Sequence, residues 1–294
     1  MIIQIVKNVI PRSYWKPVSA YVRLLRNYFI KRNIIKYYKY KENISPEIEE
    51  VIQYLIDEPL HIFPYGFTKS YTKDTIELVK DSNSGLFYTF FEGKKMFFKR
   101  SWTPEIIKEY YNFLLMEQDI QSPHRYLVDS FCIQNDDVVA DIGAAEGIFS
   151  LSIIEKVQKI YMFEPDKEWV EALELTFSPW KYKVEIIEKY VKSSENTTSV
   201  SIDSFFKDKK ISFFKIDVDG GEVELLKGGL DYFYTHNAKI AICTYHKQED
   251  EKKISSFLST YGYDINYSQG YMIFIYDKYL KEPYLRKAMI RATK

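Results

Sequence analysis

The stretch Val138-Val139-Ala140-Asp141-Ile142-Gly143-Ala144-Ala145-Glu146-Gly147 decides the fold. It opens with an apolar, β-branched run of the kind that forms a strand buried on both faces. Asp141 stands near the end of that run, and a turn framed by Gly143 and Gly147 follows. From Ile148 to Lys156 the residues Phe149, Ile153 and Ile154 recur at helical spacing. Strand, glycine turn and helix together bring a nucleotide-like ligand to the carboxyl edge of a parallel sheet.

Two nucleotide chemistries use such a turn, and charge separates them. A dinucleotide site wants Gly-x-Gly-x-x-Gly, so that backbone and helix N-terminus can meet a pyrophosphate. Here the middle position is Ala145, with Asp141 ahead of the glycines and Glu146 inside the turn. Two carboxylates repel a pyrophosphate at close range and attract a sulfonium or ammonium group. The turn therefore favours S-adenosylmethionine, and an NAD-dependent oxidoreductase is the alternative. A second apolar strand, Lys159 to Phe163, ends at Glu164, 21 positions beyond Gly143. An acid at about that spacing takes ribose hydroxyls with either cofactor.

At 294 residues the chain can hold one large domain with an extension. A net charge of zero argues against nucleic acid as the main partner. Cys132 and Cys243 lack metal-ligand spacing, which points to a reducing compartment. No run approaches the apolar length of a membrane span, and the start has no signal-peptide core. The cytoplasm is the expected location.

The first 120 residues read as an extension of helices and a hairpin. From Met1 to Lys41 there are basic residues, among them Arg23, Arg26, Lys31, Arg32, Lys36 and Lys39, and the first acid is Glu42. Val22, Leu25, Tyr28, Phe29 and Ile30 set an apolar stripe beside those charges. Such a helix can lie on an anionic membrane surface, here the inner face, or pack on its own domain or on a second subunit. Ser45-Pro46 and Thr103-Pro104 look like the capped starts of two further helices. Between them, Leu86 to Phe91 and Lys95 to Lys99 read as a hairpin turning at Glu92-Gly93-Lys94. Tyr65, Phe67 and Trp102 are candidates for stacking on sugar rings, against core packing as the commoner fate. His124 and Arg125 interrupt the chain just before the nucleotide fold, where they can meet a ligand or simply cap a turn.

Beyond Glu164 the strand and helix alternation continues. Strands are expected at Val184–Val191, Ile211–Val218 and Lys239–Tyr245, closed by a hairpin of Tyr263–Tyr267 and Tyr271–Tyr276. The informative stretch is Lys215-Ile216-Asp217-Val218-Asp219-Gly220-Gly221-Glu222. Asp217 and Asp219 alternate and so share one side of an extended chain. With Glu222 they can bind a divalent metal, or supply a general base and position a sulfonium. The bland reading makes Asp219 an N-cap and Glu222 a solvated acid. His246 ends the fifth strand on the same edge as Asp217 and can accept a proton near neutral pH.

These residues carry a resemblance. Asp141-x-Gly143-x-x-x-Gly147, Phe163-Glu164-Pro165, Ser201-Ile202-Asp203, Lys215-Ile216-Asp217-Val218-Asp219-Gly220 and His246 resemble, in that order, the FkbM family of S-adenosylmethionine-dependent methyltransferases. The similarity runs from about Val138 to Ile275. Ala145 stands where the family often has glycine, and Asp219 where it usually has glutamate. The resemblance implies a class I methyltransferase fold, an α/β Rossmann-like seven-stranded sheet of order 3-2-1-4-5-7-6. That domain would span 121–294, with 1–120 as the acceptor or assembly region. It also implies O-methylation of a hydroxyl on a sugar, polyketide or glycan. Asp141, Gly143, Ala144, Glu146, Gly147, Glu164, Val191 and Asp217 would then hold the cofactor, with Asp217 or His246 as base and no metal required. The remaining alternative is a non-catalytic protein of this fold within a glycan assembly complex.

Overall fold

The computed structural model describes the chain from Trp15 to Lys294, with side chains from Val22 onward. The first part of the basic stretch, Met1 to Tyr14, lies outside the described residues. A 25-residue helix, Trp15–Lys39, comes first, followed by the helix Pro46–Asp57. Ser45 caps the latter, its side chain accepting from Ile48 N at 3.4 Å. Next is a small antiparallel sheet of β1 (Val79–Lys80), β2 (Phe87–Phe91) and β3 (Lys94–Phe97). Glu92 and Gly93 both have positive φ, as a two-residue hairpin turn of type I′ requires. Thr103 then caps the helix Pro104–Glu117 in the same manner as Ser45.

The main sheet has seven strands. They are β4 (Val138–Ile142), β5 (Lys159–Phe163), β6 (Val184–Ile187), β9 (Phe213–Ile216), β10 (Lys239–Cys243), β11 (Asp264–Tyr267) and β12 (Met289–Thr293). A short parallel pair, β7 (Tyr190–Val191) and β8 (Ser199–Val200), lies apart from them. Across the main sheet the order is β11-β12-β10-β9-β4-β5-β6. Numbered along the sheet's own strands, this is the 3-2-1-4-5-7-6 order expected of a class I methyltransferase. The pairs β4–β5, β5–β6, β4–β9 and β9–β10 are parallel, and β12 runs antiparallel to both its neighbours. The chain adopts that fold.

The closing strand is not where the sequence places it. Tyr271–Tyr276 makes only an isolated bridge from Met272 to Arg286, and Ile273 N donates to Ile62 O of the extension. Met289–Thr293 takes the strand position instead. Its charged residue disguised it: Arg291 is buried, and its guanidinium donates to the carbonyls of Arg125 and Tyr126. A strand can hold a buried cation when backbone oxygens satisfy it. The helical segment after Glu222 is broken into Glu222–Lys227 and Leu230–Thr235 at Gly228-Gly229.

Period-two alternation sends neighbouring residues of one strand into different cores. On β4, Val139 faces one core while Ala140 and Ile142 face the other. The first core continues without a break into the extension, taking in Ile34, Val51, Leu55, Phe98, Ile107 and Leu114. Phe97 N donates to Thr176 Oγ1 at 3.0 Å, in a buried bond between hairpin and methyltransferase fold. The extension thus lies against the sheet and brings its helix Pro104–Glu117 to the mouth. No helix among the described residues is long and apolar enough to cross a membrane.

Candidate functional site

The site starts at the bend after β4. Gly143 has a φ of +79°, and a Cβ there would lie 1.8 Å from the Asp217 carbonyl oxygen. Only glycine lets this bend press against the end of β9. Ala145 is also left-handed, at +47°, a conformation that costs an alanine about 1–2 kcal/mol. Side-chain bonds offset that strain. Glu164 accepts from Ala145 N at 2.9 Å and from Asp166 N at 2.8 Å. The amides of Gly143 and Ala144 both donate to Phe163 O. The bend and the end of β5 are therefore stitched together, with the Glu164 carboxylate at the seam.

Asp141 stands behind this bend and does not line the cavity. It is fully buried and accepts from Ser150 Oγ at 2.6 Å. On the adjacent strand, directly across the ladder, Lys215 places its Nζ 3.1 Å from Asp141 Oδ1. The same ammonium donates to Gly143 O at 2.5 Å. Asp141 therefore acts on the turn through Lys215.

In front of the bend lies a cavity of about 770 Å³. Ala144, Glu146, Glu164, Val191 and Asp217 line it, as does Gly143. The extension contributes Tyr110, Leu114 and Glu117 to the same wall. Tyr110 donates to Glu146 Oε2 at 2.6 Å, and so fixes the acid of the glycine turn. Burial raises the carboxyl of Glu146, and raises that of Glu164 against the pull of its backbone bonds. Lys99, Lys189 and Lys192 stand on the cavity wall with Glu164 and Asp166, and Lys99 is paired with Asp166 at 2.6 Å.

At the end of β9, Asp217 is the hub. It accepts from Tyr126 Oη at 2.8 Å, while the Nε2 atoms of His124 and His246 each lie 3.5 Å from its oxygens. Burial works against its charge. The bond from His124 and the charges of His246, His124 and Lys215 outweigh burial and hold the carboxyl well below the usual carboxylate range. His246 lies behind Asp217, with Nδ1 2.9 Å from Glu222 Oε1. Burial opposes its charge too, but Glu222, Asp217 and Asp219 raise its imidazole above the ordinary value. Glu222 is not solvated: it is fully buried and accepts from Val218 N and Gly220 N. Asp219 does not share a side with Asp217, because β9 ends at Ile216 and Asp219 turns left-handed at φ +51°. Its side chain is exposed, and Gly221 holds the cap position.

Two donor groups, His124-Asp217-Cys243 and Asp217-Glu222-His246, bring one atom each within 4.8 Å. Asp217 belongs to both, and its oxygens already face a hydroxyl and two imidazoles. The cluster reads as a hydrogen-bonded proton network. Of the other candidates, Arg125 is a clamp on the carbonyls of Leu127 and Gln118. Tyr65 and Phe67 are buried against each other and are core residues. Trp102 packs edge-on against Tyr110 and Trp169, and these two rings, not Trp102, line the cavity.

Glu117 is the residue that sequence reading missed. Its carboxyl has no hydrogen bond to any described residue, and burial pushes it up to about 7, with His124 pulling the other way. A signal was there. Tyr110, Leu114 and Glu117 are spaced four and three apart, so the acid continues an inward stripe.

The fold and the acid-lined cavity at its carboxyl edge define a class I methyltransferase architecture. Residues 178–265 match the family model of the Methyltransferase FkbM domain, the family that the strand-end motifs resemble. Among solved structures, the chain is similar to methyltransferase FkbM from Methylobacillus flagellatus KT, at 16% identity and a TM-score of 0.47, over 64% of this chain and 53% of that one. It is also similar to precorrin-6y C5,15-methyltransferase from Geobacter metallireducens, at 14% identity and a TM-score of 0.38, over 55% and 83%. A third is TYW2 of M. jannaschii in complex with AdoMet, at 12% identity and a TM-score of 0.37, over 70% and 84%. The chain spans about half the length of the first of these. No curated protein matches it.

Lys215→Met leaves Asp141 buried and unpaired, and is expected to cost about 3–5 kcal/mol in denaturant unfolding. The double variant with Asp141→Leu should recover most of that loss. Equal instability of both would show that the pair does not hold the bend.

Proposed function

We propose that the chain is an S-adenosylmethionine-dependent O-methyltransferase acting on a hydroxyl of a sugar or glycan. The observation that carries this reading is the charge of the cavity wall. Glu117, Glu146 and Asp217 face the space beside the glycine bend; of the four lysines on the cavity wall, Lys215 is committed to Asp141 and Gly143 and Lys99 to Asp166, while Lys189 and Lys192 stand near Glu164. A diphosphate at this position would meet repulsion, while a sulfonium with an ammonium would meet attraction. The residues fit the cofactor in other respects. Glu164 offers a fixed carboxylate for ribose hydroxyls, Gly143, Ala144 and Ala145 of the turn line the cavity while Gly147 faces the core side chains of Leu173 and Phe177, and Val191 lies on the wall with Glu164.

When bound, S-adenosylmethionine supplies a methyl group activated by a positive sulfur. The chain's own work is to align the acceptor and take its proton. Asp217, held ionised, accepts a hydrogen bond from the acceptor hydroxyl and orients it. Glu117, with a carboxyl near neutrality, takes the proton. His246 and His124 stay behind Asp217 and keep it charged. Trp169, Tyr110 and Tyr190 provide ring faces on the cavity wall, and carboxylates with aromatic faces suit a polyhydroxylated ring.

Incubation with methyl-labelled S-adenosylmethionine and extracted cell glycans should give a base-stable methyl ether. Label only in base-labile esters, or none transferred, would contradict the reading. Glu164→Ala should weaken S-adenosylmethionine binding at least about tenfold, since hydrogen bonds to a charged group contribute about 1.5–3 kcal/mol each. Unchanged affinity would remove Glu164 from the cofactor site.

Glu117 must be ionised to accept a proton, so kcat should rise with pH through about 7. Glu117→Gln should lower kcat by about 10²–10⁴ and abolish that limb, with cofactor affinity retained. A limb that survives in Glu117→Gln would assign the base to His246.

A further inference from the structure

Among its described side chains, from Val22 onward, the helix Trp15–Lys39 is anchored mainly along one side. Ile34 is buried, Ile30 packs on the core, and Tyr38 donates to Pro283 O at 2.7 Å. Lys31 donates to Glu58 O at 2.8 Å, and Arg26 to Ile275 O at 2.6 Å. The opposite side is bare from Leu24 to Arg32, and Ile35, at its edge one turn further on, packs on the core. Leu24, Leu25, Tyr28 and Phe29 are exposed by 65, 40, 59 and 51%. Arg32 and Lys36 follow on that side and are exposed as well. At roughly 100° per residue these six positions fall within an arc of about 140°, facing away from Ile30 and Ile34.

Single exposed apolar residues are ordinary, but four large ones on adjoining turns make a contact surface. No described residue packs over them. The charge beside them selects the partner, since no acidic residue occurs between Met1 and Lys41. A second copy presenting the same face would set Arg32 and Lys36 against like charges. A nucleic acid would use the cations and leave four apolar side chains in water. An anionic lipid bilayer uses both. Apolar groups enter the boundary between headgroups and acyl chains, and cations meet lipid phosphates.

We propose that this face of the helix docks the protein on an anionic membrane surface, with Leu24, Leu25, Tyr28 and Phe29 entering the interface and Arg32 and Lys36 at the headgroups. The apolar groups precede the cations along the helix, so its N-terminal part enters deeper. The proposal rests on the outer surface and is independent of the chemistry assigned to the cavity.

Co-sedimentation of the full chain with vesicles tests it. The protein should pellet with vesicles containing phosphatidylglycerol, remain in solution with phosphatidylcholine alone, and be released by salt. Arg32→Gln with Lys36→Gln should weaken binding about thirtyfold at low salt, given roughly 1 kcal/mol per cation near such a surface. Leu25→Asp with Phe29→Asp should abolish binding while leaving the unfolding midpoint unchanged, because both side chains are exposed. Failure of the wild type to pellet with anionic vesicles would overturn the proposal. So would a concentration-dependent dimer that Leu25→Asp with Phe29→Asp dissolves, which would assign the face to self-association.

Discussion

One ammonium ties the site together. Lys215 on β9 reaches across the ladder to Asp141 on β4 and also donates to the carbonyl of Gly143. The first motif, the bend after β4, and the second, the acids after β9, are therefore one construction. Gly143 presses against the Asp217 carbonyl because it has no side chain, and Lys215 holds it there from behind. A buried ion pair of this sort adds little net stability, but losing one partner is severe. Its consequence for function is in the charge ledger of the cavity. Lys215 is bonded to groups behind and within the bend and Lys99 to Asp166, so Asp217, the cavity carboxylate held ionised, is left facing the space where a cation would sit.

The acids divide into three kinds by what surrounds them. Asp141 and Glu222 are buried and each is paired with a cationic group, and they set the positions of Lys215 and His246. Asp217 is held ionised against burial by His124, His246 and Lys215, and accepts a hydrogen bond from Tyr126. Glu117 and Glu146 sit where burial favours the protonated form, the second with a tyrosine donor and the first without one. A carboxyl raised toward neutrality beside one held below the usual carboxylate range gives two like groups the different protonation behaviour that the proposed roles need. Glu117 comes from the extension, so the helix Pro104–Glu117 is part of the cavity as well as a brace for the sheet.

The strand and turn chemistry was legible because local rules suffice for it. The apolar runs of β4, β5 and β10, the Glu92-Gly93 turn and the proline starts after Ser45 and Thr103 each report on their own neighbourhood. Glu164 was legible for the same reason, as a residue at fixed spacing beyond a glycine turn. What stayed hidden depends on contacts distant in sequence. Nothing local says that Lys215 would neutralise Asp141, or that Arg291 would find carbonyls at Arg125 and Tyr126 and so let a charged segment close the sheet. His246 looked like a ligand-facing residue by its strand-end address, yet Asp217 stands between it and the cavity. Glu117 ended an apolar stripe as its only acid, and only the docking of its helix gave it a role.

The central claim is that an excess of carboxylate beside the glycine bend selects a positively charged sulfur nucleoside over a diphosphate. Isothermal titration of the full chain with S-adenosylmethionine and with NAD measures this most directly. The account predicts saturable, one-to-one binding of S-adenosylmethionine and no detectable heat of binding from NAD. Binding of NAD, or displacement of bound S-adenosylmethionine by it, would contradict the assignment of charge to ligand.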